Sequence, residues 1–494
     1  MANLKSLVKD TAIYGLSSII GRFLNYLLVP LYTAKISAAS GGYGIVTNLY
    51  AYTALILVIL TFGMETTFFR FANKEGADAK RVFSSSLFVV TTLSLLFLAG
   101  IVGLIGPISN TLGYADHKEY IIMMAVVVAL DSIQAIPFVY LRFKKQAIKF
   151  AALKLLFIFL NIGLNLAYFV LLPYLYSKNP SSVSAIYDPN IGVGYVFSLN
   201  LVCTALITFF FIPEFRDVRF VFDKALLRKM FSYSWPILVL GIAGILNQTA
   251  DKIIFPLVYP DHTVAKQELG IYGACVKIAM IMAMITQAFR YAYEPFVFAQ
   301  NREKDAKQTY AVAMKYFIIF TLLAFLCVMG YMDILKYIIG ADYRTGLKCV
   351  PIVMAAEIMM GITFNLSFWY KLIDKTLWGA VISICGCAVL FIVNILFIPR
   401  FSYMACAWGG FAGYATTMVV SYLLGQKYNA INYPMKDIIV YTLLAGVLFA
   451  AMTFLPDSWS PVWRILTNTA LIALFAAFII KKDMWAAIKA KLHK

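Results

Sequence analysis

The side chains best placed to do chemistry are ionisable groups inside long apolar runs. Arg22 lies in the middle of such a run, flanked by Gly21 and followed nearly one helical turn on by Asn25. A charge near the centre of a bilayer costs roughly 2.5–3.5 kcal/mol on insertion scales, so it normally faces a wet cavity or a partner. A permanently charged, bidentate guanidinium suits a phosphate-bearing ligand entering low dielectric. The plainer reading is a structural pair with an acid on a neighbouring run, such as Asp131.

Glu65 and Glu294 occupy equivalent places in two later runs, with Arg70 five residues after the first and Arg290 four before the second. Arg290 and Glu294 share a helix face. They are read either as ion pairs closing the cytosolic end or as coupling carboxylates, because an acid in a partly dry site takes up a proton more readily. Asn247, Gln248, Asp251 and Lys252 form a polar band in a longer run, and Lys277 in the next run is placed to meet it. Substrate path, ion site and interhelical network all fit that band. Glu357, with Asn365, Gln287, Gln134 and Lys315, is a weaker candidate, and Lys154 reads as a snorkelling lysine. The C-terminal part carries more ionisable groups within its runs, so coupling to a proton or sodium gradient is expected there.

Other chemistry is poorly served. The 7 cysteines lie in or beside apolar runs, and Cys385-Gly-Cys387 lacks redox or zinc spacing. His117, His262 and His493 fall in loops or the tail, so no metal site is expected. No phosphate-cradling Gly-x-x-x-x-Gly-Lys-Ser/Thr loop is present, and neither cofactor nor ATPase is expected. The longest connection, 173–190, is too short for an external catalytic domain, which argues against a glycan polymerase or ligase.

The elements that carry these groups are set by composition. The 494 residues are 62% hydrophobic and 13% charged, about half the usual charged fraction of a soluble chain. Fourteen apolar runs, from 8–33 to 463–480, have the length of membrane-spanning helices. The first is too long for a signal peptide and contains Arg22. The formal charge of +18 is a topology signal and not a nucleic-acid surface: Arg142, Lys144, Lys145 and Lys149, Arg216 to Lys229, and Lys481 to Lys494 all fall on one side. By the positive-inside rule that side is cytosolic, with both termini.

The chain also repeats itself. Tyr43-Gly44 precedes Glu65 by the same interval as Tyr272-Gly273 precedes Glu294, and Asp78-Ala79-Lys80 is answered by Asp305-Ala306-Lys307. Asn165 and Asn394 hold matching places in the fifth and eleventh runs. Spans one and seven are an even number of crossings apart, so the repeats are parallel, about an axis along the membrane normal. The expectation is an all-α polytopic protein: a lobe over 1–218, a second over 219–428, and two further spans with a basic tail over 429–494.

Six, six and two spans, with GRFLNYLLVPLYT in the first, GMETTFFRFAN ending the second and YEPFVFAQN ending the eighth, resemble the Wzx-type polysaccharide flippases. These belong to the multidrug/oligosaccharidyl-lipid/polysaccharide superfamily. The resemblance covers the whole chain. It implies V-shaped paired lobes in the bacterial cytoplasmic membrane and alternating access. It also implies an undecaprenyl-pyrophosphate-linked oligosaccharide as cargo, for a surface polymer such as the O-antigen of lipopolysaccharide. Expected partners are that lipid-linked cargo, membrane lipids and other polysaccharide assembly proteins. The alternative within the superfamily is a cation-coupled multidrug exporter, whose cationic substrates would favour acids in the cavity.

Overall fold

The computed structural model describes residues 24, 26–219, 223–300, 306–373, 375, 377–456 and 458–484, without the side chains of 291, 292, 294–296 and 298–300. Arg22, Asn25, the Glu294 side chain, Asp305 and the tail beyond 484 therefore lie outside the described residues.

Among those residues there is no strand, and eleven helices are long and apolar enough to cross a membrane. The other three of the fourteen expected runs fare differently. Run 8–33 is described only from residue 24 on, 191–212 forms the sixteen-residue helix Gly194–Phe209, and 403–424 forms the helix Tyr403–Tyr428. The chain is a multi-pass, all-helical membrane protein.

We label α1 Leu28–Lys35, α2 Gly42–Thr61, α3 Met64–Ala72, α4 Ala79–Gly103, α5 Lys118–Phe143, α6 Ala147–Leu166, α7 Gly194–Phe209 and α8 Lys224–Val258. There follow α9 His262–Gln300, α10 Ala306–Gly330, α11 Val350–Leu366, α12 Leu377–Phe401, α13 Tyr403–Tyr428, α14 Met435–Thr453 and α15 Pro461–Ile479. Aspartates start three of them. Asp78 accepts from the Lys80 and Arg81 amides at the head of α4, Asp223 from Leu226 at α8, and Asp261 from Thr263 and Val264 at α9. Each satisfies amides that have no partner within the first helical turn.

Two compact units result: Met1–Gly273 with Asn394–Cys406, and Ala274–Val393 with Ala407–Lys494. These boundaries differ from those of the repeats because packing sets them. α8 lies along α2 and α3 and is grouped with the helices it touches. In the first unit α5 packs on α2, α4 and α7, and α7 on α6. One of its buried clusters gathers Met64, Phe68, Phe83, Tyr140 and Met230, with the Phe83 and Tyr140 rings stacked at 4.2 Å.

In the second unit α10 packs on α11, α14 and α15. The Lys315 amine on α10 bonds Asp437 at 3.1 Å and pairs with Asp483, which also accepts from the Tyr441 hydroxyl; Lys482 pairs with Asp437 at 2.7 Å. Lys482 and Asp483 sit on a π-helical turn, Ile480–Met484. Lys315 is thus a clamp between helices, set where α14 begins and α15 ends.

Two departures from smooth spans matter for the site. The second run breaks between α2 and α3, where Phe62 (φ 49°) and Gly63 (φ 66°) are both left-handed. Its counterpart α9 continues unbroken through residue 294. Glu65 therefore stands in the first turn of a new helix, where exposed amides favour an acid.

The repeated Tyr-Gly pairs mark the second departure, since the start of α9 crosses α2 there. A Cβ on Gly44 would fall 1.8 Å from the Lys266 carbonyl oxygen, and one on Gly273 would fall 2.3 Å from the Thr47 hydroxyl. Only glycine lets two backbones come so close, the usual device of helix pairs in membranes.

Candidate transport site

Membrane-level polar groups in the first unit assemble into two clusters. The first is built on Lys154 of α6. It lies within electrostatic reach of Glu65, at the head of α3, and of Asp131 on α5, and its amine sits 4.0 Å from the centre of the Phe138 ring. Asp131 lies beside Thr204 of α7. The Thr204 hydroxyl donates to the Asn200 side-chain oxygen at 3.4 Å, and the Asn200 amide donates to the Tyr50 hydroxyl at 2.6 Å. Gln134, one turn on from Asp131, donates to the Thr204 carbonyl at 2.9 Å and the Thr208 hydroxyl at 2.8 Å. Deeper along α6, the Tyr32 hydroxyl donates to Asn165 at 2.8 Å and the Asn165 amide to the Asn161 oxygen at 2.6 Å.

The pattern that could have found Lys154 was present in the sequence. Lys154, Asn161 and Asn165 are spaced seven and eleven residues apart, which places them on one helix face. Read alone, the lysine looks like a snorkel; read with the asparagines, it opens a polar stripe. The aromatic partners of the site, Tyr50 and Tyr32, had no such signal.

The second cluster lies where α2, α8 and α9 meet. The buried Asp251 carboxylate takes both Lys252 contacts at 3.0 Å and the Tyr272 hydroxyl at 2.7 Å. Asn48 donates to the Lys252 carbonyl and accepts from the Tyr114 hydroxyl, each at 2.8 Å. The polar band of α8 is therefore an interhelical network at Asp251 and Lys252. Asn247 donates to the carbonyl one turn back at 2.9 Å, and exposed Gln248 does so at 3.4 Å.

The remaining candidates are placed more peripherally. Exposed Arg70 lies 4.0 Å over the Tyr233 ring, and Arg142 lies 5.2 Å over Phe69. In the second unit Arg290 lies 4.6 Å over Phe364, whose ring Lys371 also approaches at 4.9 Å. Lys277 and Glu357 belong to that unit too, both half-buried. No group of three metal-ligating side chains occurs among the described residues.

Outside the membrane segments, Asp217 accepts from Lys80 at 2.7 Å, Lys144 at 2.6 Å and Tyr140 at 3.1 Å. Hydrogen bonds from Lys144 and then Lys80 hold its carboxyl well below the usual range. Glu214 pairs with Lys149 at 2.6 Å and Arg219 with Asp78 at 3.0 Å. This belt ties the loops at one end of the first unit.

A family model described as polysaccharide biosynthesis protein matches residues 7–295, more than half of the 494. The chain belongs to the polysaccharide biosynthesis protein family. Among curated relatives, Lsg locus protein 1 of Haemophilus influenzae is 21% identical over 432 residues, 85% of this chain and 98% of that protein. Among solved structures, the lipid II flippase MurJ in an inward closed conformation aligns with TM-score 0.72 at 15% identity, over 94% of this chain and 98% of that one. An inward-facing multidrug resistance MATE transporter of the MOP superfamily aligns with TM-score 0.64 at 12% identity, over 82% and 93%. The family member thus has the fold of that superfamily, as the spans and motifs led us to expect.

Proposed function

We propose that the protein translocates an undecaprenyl-pyrophosphate-linked oligosaccharide across the bacterial cytoplasmic membrane by alternating access, feeding surface polysaccharide synthesis. In this reading both termini face the cytosol. The observation that carries this reading is Lys154, a lysine held at membrane level with Glu65 and Asp131, in a chain of the polysaccharide biosynthesis family. A charge among spanning helices normally faces a partner or a wet cavity, and Lys154 offers an anionic headgroup a cation. Arg22, Asn25, Arg70, Asn247, Gln248, Lys252, Lys277 and Arg290 are the further candidate substrate-binding groups. Asp251, Glu294 and Glu357 join Glu65 and Asp131 as candidate coupling or gating carboxylates.

The deciding experiment is lipid analysis of a deletion strain. Pyrophosphate-linked repeat units should accumulate on the inner leaflet, and their absence, with normal surface glycan, would overturn the assignment. Arg22→Ala should abolish export while the protein still inserts.

A second reading draws on the same cluster. Its two acids, Glu65 and Asp131, suit a cation as in a multidrug exporter, although Arg142 as well as Lys154 reaches Glu65. Drug resistance on overexpression, with surface glycan unchanged by deletion, would favour it.

A further inference from the structure

A groove on the first unit, apart from the charged cluster, has the chemistry of a lipid site. It lies between α2, α4 and α5, beside the connection 104–117, and has a volume of about 400 Å³. Leu49, Ile56, Ile101, Ile108, Ile121 and Val128 are among the side chains lining it, and the whole lining is nearly apolar. All three helices are long and apolar enough to cross a membrane, so a hydrocarbon chain is a ligand of matching chemistry. Scaled from a cavity of about 150 Å³ that holds benzene, it has room for on the order of sixteen carbons. That is a stretch of one chain, about three five-carbon prenyl units.

Polar groups stand next along the chain from two of the lining residues. Leu49 follows Asn48, which bonds Tyr114 and the Lys252 carbonyl. Leu112 precedes Gly113, whose carbonyl accepts from the Lys266 amine at 2.7 Å, with that amine 5.0 Å from the centre of the Tyr114 ring. The Lys266 amine and the Lys252 backbone are thus bonded to the chain neighbours of Leu112 and Leu49, which line the slot. A hydrocarbon chain gains little by leaving bulk lipid for such a slot. Selectivity therefore comes from shape and from the lysine facing a headgroup. A diacyl lipid would leave its second chain unaccommodated, whereas a polyprenyl phosphate lipid has only one.

We propose that this groove binds the prenyl chain of a polyprenyl phosphate lipid, with the phosphate toward Lys266. The proposal rests on the flippase reading above and locates the cargo's tail. The test uses full-length protein in phosphatidylethanolamine and phosphatidylglycerol vesicles doped with a long-chain polyprenyl phosphate. Photoreactive p-benzoylphenylalanine replaces Ile101 in the groove or, as control, Leu96, which is 65% exposed on the same helix.

Polyprenyl adducts at position 101 should exceed those at 96 by about fivefold, the enrichment expected of a single lysine–phosphate contact. Lys266→Gln should erase most of that excess. Equal yields at the two positions, an excess insensitive to Lys266→Gln, or phospholipid adducts dominating at 101 would each overturn the site. Any of those results with export lost in the deletion strain removes the groove and leaves the flippase. Export persisting in the deletion strain removes the flippase reading and with it the tail's assignment to cargo.

Discussion

Two asparagines at matching points of the repeat are treated oppositely by their surroundings. Asn165 is wholly buried and bonded to Tyr32 and Asn161. Asn394 is equally buried, and neither of its side-chain atoms has a hydrogen-bond partner among the described residues. Removing a satisfied partner strands the others, at roughly 1–3 kcal/mol, whereas replacing an unpaired amide with an apolar group of similar size is neutral or stabilising. Asn165→Leu should therefore lower the unfolding temperature in detergent, and Asn394→Leu should hold or raise it. A large loss at Asn394 would mean that it serves a bound partner.

Lys154 admits a similar contrast. Lys154→Met removes the cation facing Asp131, while Glu65 keeps Arg142, and should lower the unfolding temperature in detergent. Adding Asp131→Asn should restore much of the stability but not glycan export. Recovery of both would assign the cluster to folding alone. From sequence the acids stood out because charges are rare in apolar runs. Their companions did not, since Tyr50, Asn200 and Thr204 are ordinary residues until helices bring them together.

At the level of the helix, the Tyr-Gly repeat has a physical meaning that spacing alone did not disclose. It marks where the start of α9 crosses α2, and Gly44 is the position with least room. An added side chain there forces the backbones apart, a strain of about 1–3 kcal/mol, so Gly44→Leu should favour a conformation in which the crossing is loosened. Thr47→Cys in that background should react with an impermeant maleimide about tenfold faster than with Gly44 intact. Unchanged reactivity would show that the crossing is not a moving contact. The break at Phe62–Gly63 was invisible in the hydropathy pattern, because apolar residues run through it; two left-handed residues in succession leave no periodic trace.

For the whole molecule, the all-helical class and most spans were legible because a bilayer demands long apolar helices. Unit boundaries were not, since they depend on which helices touch. The polar belt around Asp217 was read only as an excess of cations, and its acids emerge as the other half of an ion-pair lattice. Its pH behaviour follows from the depressed Asp217 carboxyl. Such a group contributes stability at pH values above its unfolded value of about 3.9, and the contribution is lost as pH falls through and below that. Thermal unfolding of the detergent-solubilised protein should accordingly be flat near neutrality and fall below about pH 4, and Asp217→Asn should flatten the acid limb.

The interruption after Thr61 bears on how force could pass along this part of the chain. A continuous rod transmits a tilt from one membrane face to the other, as the unbroken α9 would. A rod cut near Gly63 lets its two pieces pivot separately, so Glu65 could keep its neighbours while the portion above it swings. The two helices that carry the Tyr-Gly pairs would then move unequally: one acting as a lever, the other as a jointed arm.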